Sequence, residues 1–422
     1  MSLKIATIIV VLTAITTGTV LFLINKDIID NPILPSRSNP SPEDISNVVG
    51  ANNQLALDFY HHLKDRESGN MFFSPFSISS ALAMTYEGAK GETAEEMESV
   101  FYFPKDDNTR RQEYLAVIDE INKQGKEYQL STANALWAEE DYSFLQEYFD
   151  VVDEYYGGKV TNMDFKSKTE QSRIIINDWV EEKTNDKIKD LIPSGVINSL
   201  TRLVLTNAIY FKGEWVRQFN EDDTREENFR ISNNESAMVP MMQRTDEEAK
   251  FNYAENSQLQ ILEMPYSGEE ISMLILLPKD DDLQRLENSL SFENLSEWKE
   301  DLKEERVKVY VPKFKFETKY FMANDLREMG MPTAFSGSAD FSGMTGEKDL
   351  FISEVIHQAF VEVNEEGTEA AAATAVVMEL SSPGGPSQKI PVFRANHPFL
   401  FLIEHRETGN ILFMGRVMNP NE

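Results

Sequence analysis

Residues 361–382 read VEVNEEGTEAAAATAVVMELSS. By propensity the Glu-Ala-Ala-Ala-Ala run inside it is a helix former. An isolated helix of that length is marginal in water, and Val376–Val377 with the Ser, Pro and Gly that follow work against extending it. A period of two orders the stretch better. Thr368, Ala370, Ala372, Thr374, Val376 and Met378 fall on one parity; Glu369, Ala371, Ala373, Ala375, Val377 and Glu379 fall on the other. Both carboxylates share one face, and the opposite face is small or apolar and uncharged. That pattern predicts a strand lying within a sheet, one side on the core and one side wet. Its small side chains would let it slip between strands already in place. Twelve such residues would span roughly 40 Å, longer than most strands.

Downstream, Phe399–Ile403 and Ile411–Val417 read as apolar strands around a turn at Thr408, Gly409 and Asn410. Upstream, VKVYVPKFKF (307–316) alternates but changes parity. Val307, Val309 and Val311 share one register and Phe314 and Phe316 the other, which predicts a bulge or a change of sheet at Pro312. Ile271–Pro278 and Leu203–Phe211 read as buried strands. Nearer the start, Leu55, Phe59 and Leu63 recur at helical spacing, and Ser77–Tyr86 after Pro75 reads as a buried helix. Thr93 and Glu96 predict a capping box that opens another helix. Helices dominate the first third and strands the last, which points to an α+β architecture in one large domain.

The first 26 residues differ in kind. Ile5–Ile24 is uncharged and apolar between Lys4 and Lys26, and as a helix it would measure roughly 30 Å, enough to cross a bilayer core. A signal-anchor, a cleaved signal peptide and a buried helix are the alternatives; either of the first two exports the remainder. Residues 27–47, with Pro32, Pro35, Pro40 and Pro42, predict an extended linker. The domain then occupies residues 48–422.

The 422 residues carry 40 basic and 71 acidic side chains, a formal charge of −31, and no cysteine. That charge argues against nucleic acid and against anionic lipid surfaces, so the membrane enters only through the N-terminal segment. The missing cysteine excludes disulfides, thiolate metal sites and thiol nucleophiles. No G-x-S-x-G, H-E-x-x-H or phosphate-binding glycine loop is present. His61 and His62 are adjacent on a helix, where both cannot face one ion easily, and are expected to be solvent-exposed. The acidic runs Glu139–Asp141, Glu221–Asp223 and Asp280–Asp282 are expected to be solvated loops. Neither a metal, a cofactor nor catalysis by this chain is expected. Asn234-Glu235-Ser236 and Asn294-Leu295-Ser296 are glycosylation sequons, short enough to recur by chance.

From Glu365 onward the chain resembles the serpins, the serine protease inhibitors. Glu365, Glu366, Gly367, Thr368, Glu369, Ala370, Ala371, Ala372, Ala373 and Thr374 are similar to the hinge of inhibitory members. The likeness runs from about Val48 and includes NMFFSPFSISSALAMTYEGAKGET (70–93), LTNAIYFKGEWVRQF (205–219), VPKFKFE (311–317), DFSGMT (340–345), HPFLFLI (397–403) and GNILFMGRVMNP (409–420). It implies a domain whose main β-sheet accepts a reactive loop, about 365–390, as an extra strand, with further sheets and surrounding helices. It also implies a suicide inhibitor of serine proteases, expected to be monomeric; the N-terminal segment is outside the resemblance, and by that segment the protein is expected to be extracellular, anchored by residues 5–24 or secreted. A target serine protease cleaves the loop, is held as a covalent acyl complex and is carried off as the loop inserts.

By the same resemblance, Ser74, Ser77, Asn207 and His357 form a polar cluster beneath the point where the sheet parts, and Trp215 marks where insertion begins. The reactive bond falls at Ser381–Ser382, or at Leu380–Ser381 in a loop one residue shorter. Neither offers a basic side chain, so elastase-, chymotrypsin- or subtilisin-like targets are favoured over trypsin-like ones. A non-inhibitory carrier or surface protein on the same fold is the alternative; its usual hinge signature, Pro or charge, is missing from Ala370–Ala373.

Overall fold

The computed structural model describes residues 47–122, 126–280, 282–368 and 389–422. The expected membrane segment 5–24, the linker up to residue 46, the hinge from Glu369 to Thr374 and the expected reactive bond at Leu380, Ser381 and Ser382 lie outside the described residues. Among those described, the strands in chain order are β1 (Met71–Phe73), β2 (Tyr128–Glu139), β3 (Lys159–Met163), β4 (Leu203–Glu214), β5 (Arg225–Ser232) and β6 (Glu235–Arg244). They continue with β7 (Lys250–Glu255), β8 (Leu259–Pro265), β9 (Ile271–Pro278), β10 (Lys303–Arg306), β11 (Lys308–Pro312) and β12 (Phe314–Phe321). The last are β13 (Ile352–Val363), β14 (Gly367–Thr368), β15 (Val392–Arg394), β16 (Phe399–His405) and β17 (Asn410–Val417). They form a seven-stranded sheet ordered β1-β17-β16-β9-β8-β7-β10, a four-stranded sheet β15-β11-β6-β5 and a six-stranded sheet β12-β13-β14-β4-β2-β3. With the helices around them this is the α+β architecture expected from the sequence.

The continuous apolar runs of β9, β16 and β17 are buried along their whole length, as strands covered on both faces must be. The helix Pro75–Tyr86 is buried from Pro75 through Thr85 and touches β17 on one side and β2 and β4 on the other. A helix without a charged side chain, its serines and Thr85 buried with the rest, has no wet face to offer, so it lies between layers. On the opposite face of the six-stranded sheet, Ile176 and Val180 of the helix Thr169–Lys183, with Ile188, Leu191, Ile192 and Ile197 after it, form a second core over Ala133, Trp137, Val204, Ala208 and Ile356. The parity change near Pro312 is a change of sheet. β11 ends the four-stranded sheet's share of the chain at Pro312, and β12 begins the six-stranded sheet at Phe314.

Two local expectations fail. The helix over Thr93 starts at Gly91 and carries no side-chain cap. Thr93 Oγ1 instead accepts the Asp340 N–H at 2.9 Å, and Glu96 accepts from the N–H and hydroxyl of Thr333 at 2.8 Å each. His61 and His62 are half-buried rather than solvent-exposed: the His61 ring contacts the Leu290 carbonyl at 2.9 Å and the His62 ring contacts Asp325 at 3.0 Å.

The six-stranded sheet holds an unfinished place. β4 and β13 pair directly and in parallel from Leu203 and Ile352 to Tyr210 and Phe360. Above that, β14 sits between them: Thr368 is opposite Val363 of β13 and Gly213 of β4, and Gly367 is opposite Glu214. Both pairings of β14 are antiparallel.

Candidate functional site

The turn that sends the chain back into the sheet is built by Asn364. Its side-chain Oδ1 accepts the N–H groups of Glu366 and Gly367 at 3.1 Å each, and its own N–H donates to the Gly367 carbonyl at 2.9 Å. Such Asn turns mimic a backbone turn at low cost. Gly367 is required by space: a Cβ there would lie 2.0 Å from the Gly213 carbonyl oxygen. Thr368 faces the core, 1% exposed, and its hydroxyl meets the Tyr266 hydroxyl at 2.6 Å.

Trp215 follows β4 directly and is buried against Tyr266, the rings stacked 4.4 Å apart. Its backbone N–H donates to the Glu366 carbonyl at 2.7 Å and its indole N–H to the Asn364 carbonyl at 3.0 Å. Trp215 thus holds both ends of the turn. Glu365 anchors it from outside, with its carboxylate 2.6 Å from Lys313 Nζ and accepting the Thr224 hydroxyl at 2.7 Å. Burial pushes the Glu365 carboxyl up, but the hydrogen bonds from Lys313 and Thr224 outweigh it and hold it below the usual value.

Lower in the same sheet, Ser74, Ser77, Asn207 and His357 come together, joined by Asn134. The register lines up Tyr320, His357, Asn207 and Asn134 on four adjoining strands, β12, β13, β4 and β2. Asn207 Nδ2 donates to Ser77 Oγ and to Asn134 Oδ1, each at 2.6 Å. Ser74 is the N-cap of the buried helix and accepts the Ser77 N–H at 3.1 Å, with Pro75 at the first helical position. The Ser74 N–H donates to His357 Nε2 at 3.1 Å, and His357 Nδ1 meets Asn207 Oδ1. One ring nitrogen accepts and the other donates, which defines a neutral imidazole with its proton on Nδ1. Burial pushes its pKa down to about 3, against an upward pull from Asn207. The Tyr320 ring lies nearly parallel to it, centroids 6.3 Å apart.

Sequence reading singled out Trp215 but missed Tyr266, Asn134, Lys313, Thr224 and Asn364. Asn134 carries a faint signal, an amide between two alanines. Asn364 acts locally, as an Asn turn just before the quoted hinge; Tyr266, Lys313 and Thr224 act through partners far along the chain. Two of the acidic runs are as solvated as expected where described; the exception is Glu139, 1% exposed and accepting the Phe165 N–H at 2.9 Å. Among the described residues no group of three or more His, Asp or Glu could hold a metal ion, and no helix is long and apolar enough to cross a membrane.

Lys313 is 38% exposed, so its pair with Glu365 is worth on the order of 1 kcal/mol rather than the roughly 3–5 kcal/mol lost when a fully buried pair is broken. Charge reversal does more than remove it. Glu365→Lys should lower the melting temperature and speed heat-induced self-association, and adding Lys313→Glu should recover part of the loss. A double variant no better than the single one would remove Glu365–Lys313 from the anchor. For His357 the folded pKa lies below the ordinary value of about 6.5, so its contribution is full above that value and is lost as pH falls toward 3. The melting temperature should therefore drop from pH 7.5 to 5.0 more steeply in the native chain than in His357→Gln; equal slopes would contradict the neutral, buried assignment.

The family model for serpins (serine protease inhibitors) matches residues 50–420. The chain is 45% identical over 377 residues to an uncharacterized serpin-like protein of Methanosarcina acetivorans, covering 88% of each. It is 42% identical over 379 residues to leukocyte elastase inhibitor A of Rattus norvegicus, covering 88% of this chain and 98% of the relative. Among solved structures, human thyroxine-binding globulin in its thyroxine complex superposes with a TM-score of 0.81 at 29% identity, over 90% of this chain and all of that one. With a family model matched over residues 50–420 and relatives this similar over most of its length, the chain belongs to the serpin family.

Proposed function

We propose that this chain is an inhibitor of extracellular serine proteases of elastase-, chymotrypsin- or subtilisin-like specificity, acting once per molecule. The target's serine attacks the carbonyl of Ser381, or of Leu380; the peptide bond to the next residue breaks, and the new amine leaves while the acyl-enzyme remains. The freed loop then enters the six-stranded sheet before deacylation. The chain itself supplies bait and sheet, with no catalytic group of its own, and works as a monomer.

The observation that carries this reading is the fold-back of Gly367 and Thr368 between β4 and β13. A strand continuing in that direction is antiparallel to both neighbours. Each residue it advances exchanges part of a parallel ladder for two antiparallel ones, and antiparallel pairing is the more stable per residue. The alternation from Thr368 to Glu379 supplies inward positions that are small or apolar. The polar row at His357 and Asn207 is where the parting must pass, so we assign it the gating role. Export follows from residues 5–24, as signal-anchor or as cleaved signal, with residues 27–47 as the linker before the domain.

A carrier function is the second reading, favoured by the likeness to thyroxine-binding globulin. Ala370–Ala373 argues against it, because a non-inserting loop has no need for a run of small uncharged residues. The likeness to leukocyte elastase inhibitor A supports the inhibitory reading.

Incubation with a panel of elastase-, chymotrypsin- and subtilisin-like proteases should give a complex that survives denaturing gels. Thr368→Arg, which puts a charge against the Tyr266 hydroxyl in the core, should be cleaved at the native rate while the protease stays active. Cleavage across the panel without any covalent complex would defeat the proposal. Loop cleavage alone should also raise the melting temperature through the added strand. An unchanged or lower value would mean that the loop stays out.

A further inference from the structure

We propose that Asn234 is a site of N-linked glycosylation in the exported protein, and that Asn294, in the other sequon of the same form, is not. The proposal rests on the export reading above. Two Asn-X-Ser sequons are indistinguishable as motifs, and the fold separates them.

Asn234 sits in the two-residue turn between β5 and β6, where Ser232 of one strand is opposite Glu235 of the other. Residues 232–236 are exposed throughout. The Asn234 backbone N–H is held by Ser232 Oγ at 3.3 Å, while its exposed carboxamide has no hydrogen bond among the described residues. Ser236, two positions on, is the sequon hydroxyl and is equally open. An acceptor segment at a hairpin tip offers both groups to an enzyme without disturbing the ladder behind it.

Asn294 is held differently. It lies in the first turn of the helix Phe292–Glu300, its backbone N–H capped by Ser291 Oγ at 3.2 Å. Its side-chain Nδ2, the atom that would be glycosylated, donates to the Ser289 carbonyl at 2.6 Å. Leu295 between the sequon residues is buried, and Ser296 Oγ donates back to the Phe292 carbonyl at 2.8 Å. A chain modified there would lose this docking, so the folded pool carries the sugar at Asn234 alone.

The transfer needs one co-reactant, a saccharide linked through its anomeric carbon to a lipid pyrophosphate. The bond from that carbon to Asn234 Nδ2 forms, its bond to the pyrophosphate oxygen breaks, one amide proton passes to a base of the transferase, and the lipid pyrophosphate leaves. β5 is the outer strand of the four-stranded sheet, so a glycan at its end would shield a sheet edge and the adjacent Met238, 55% exposed. The far end of β5 adjoins Thr224, the hydroxyl bound to Glu365. At roughly 3.4 Å per residue the glycan is about 25 Å away along the strand, clear of the hinge.

The test is expression of the full chain in a eukaryotic secretory host, with mass spectrometry before and after treatment with a peptide N-glycosidase. The folded exported protein should carry one glycan, lost in Asn234→Gln and kept in Asn294→Gln, with protease trapping unchanged by its removal. Surface and medium fractions report export separately. Should residues 1–46 fail to export the chain, the export reading falls, and the full chain placed behind a cleavable secretory leader decides the glycan. An exported, folded chain without sugar at Asn234, or with sugar at Asn294, overturns the proposal.

Discussion

The parallel ladder between β4 and β13 runs from Leu203 and Ile352 to Tyr210 and Phe360 and stops there because Gly367 and Thr368 hold the strands apart. Two long strands with matched apolar faces would ordinarily pair to their ends. Here a turn of four residues supplies antiparallel partners for the last positions, and the remaining ladder is left in the weaker arrangement. Side chains hold that turn in place: Asn364 shapes it, Trp215 grips both its ends, and Glu365 ties it to Lys313 and Thr224.

Electrostatics divides between surface and seam. The charge of −31 is carried mostly on solvated side chains, where it favours solubility and says little about fold. At the seam the chain uses neutral groups instead. His357 is kept uncharged by burial, and the Ser74 backbone N–H and the Asn207 side-chain amide complete its hydrogen bonds. A charged partner there would bind one strand to the other too firmly, or would be too costly to bury. A chain without cysteine has no covalent tie across the sheet either.

Legibility followed the range of the interactions. Alternation from Val307 to Phe316 showed a bulge or a change of sheet at Pro312, because parity is a local property of the backbone, and the structure makes it a change of sheet. The buried helix read as Ser77–Tyr86 was legible in the same way, although it starts two residues earlier, at Pro75. The capping box at Thr93 and Glu96 was equally local in form and did not appear, since Asp340 and Thr333, 247 and 237 positions away, take those side chains. His61 and His62 looked exposed on one helix and are covered by residues from elsewhere in the chain, Leu290 and Asp325. Tyr266, Lys313 and Thr224 carry no mark in their own surroundings; each matters only through a hinge residue about 50 to 140 positions on, separations local patterning does not register.

By itself the amino-acid order determined the α+β class and the inward parity of Thr368, because each depends on the period of side chains along a backbone. It also carried the serpin likeness in contiguous blocks. Only the tertiary structure decided that Gly367 and Thr368 lie between β4 and β13, antiparallel to both, and that His357, Asn207 and Asn134 form one row lower in the same sheet. Those facts depend on register between strands far apart in the chain, and register is set by packing against the whole core rather than by any local preference.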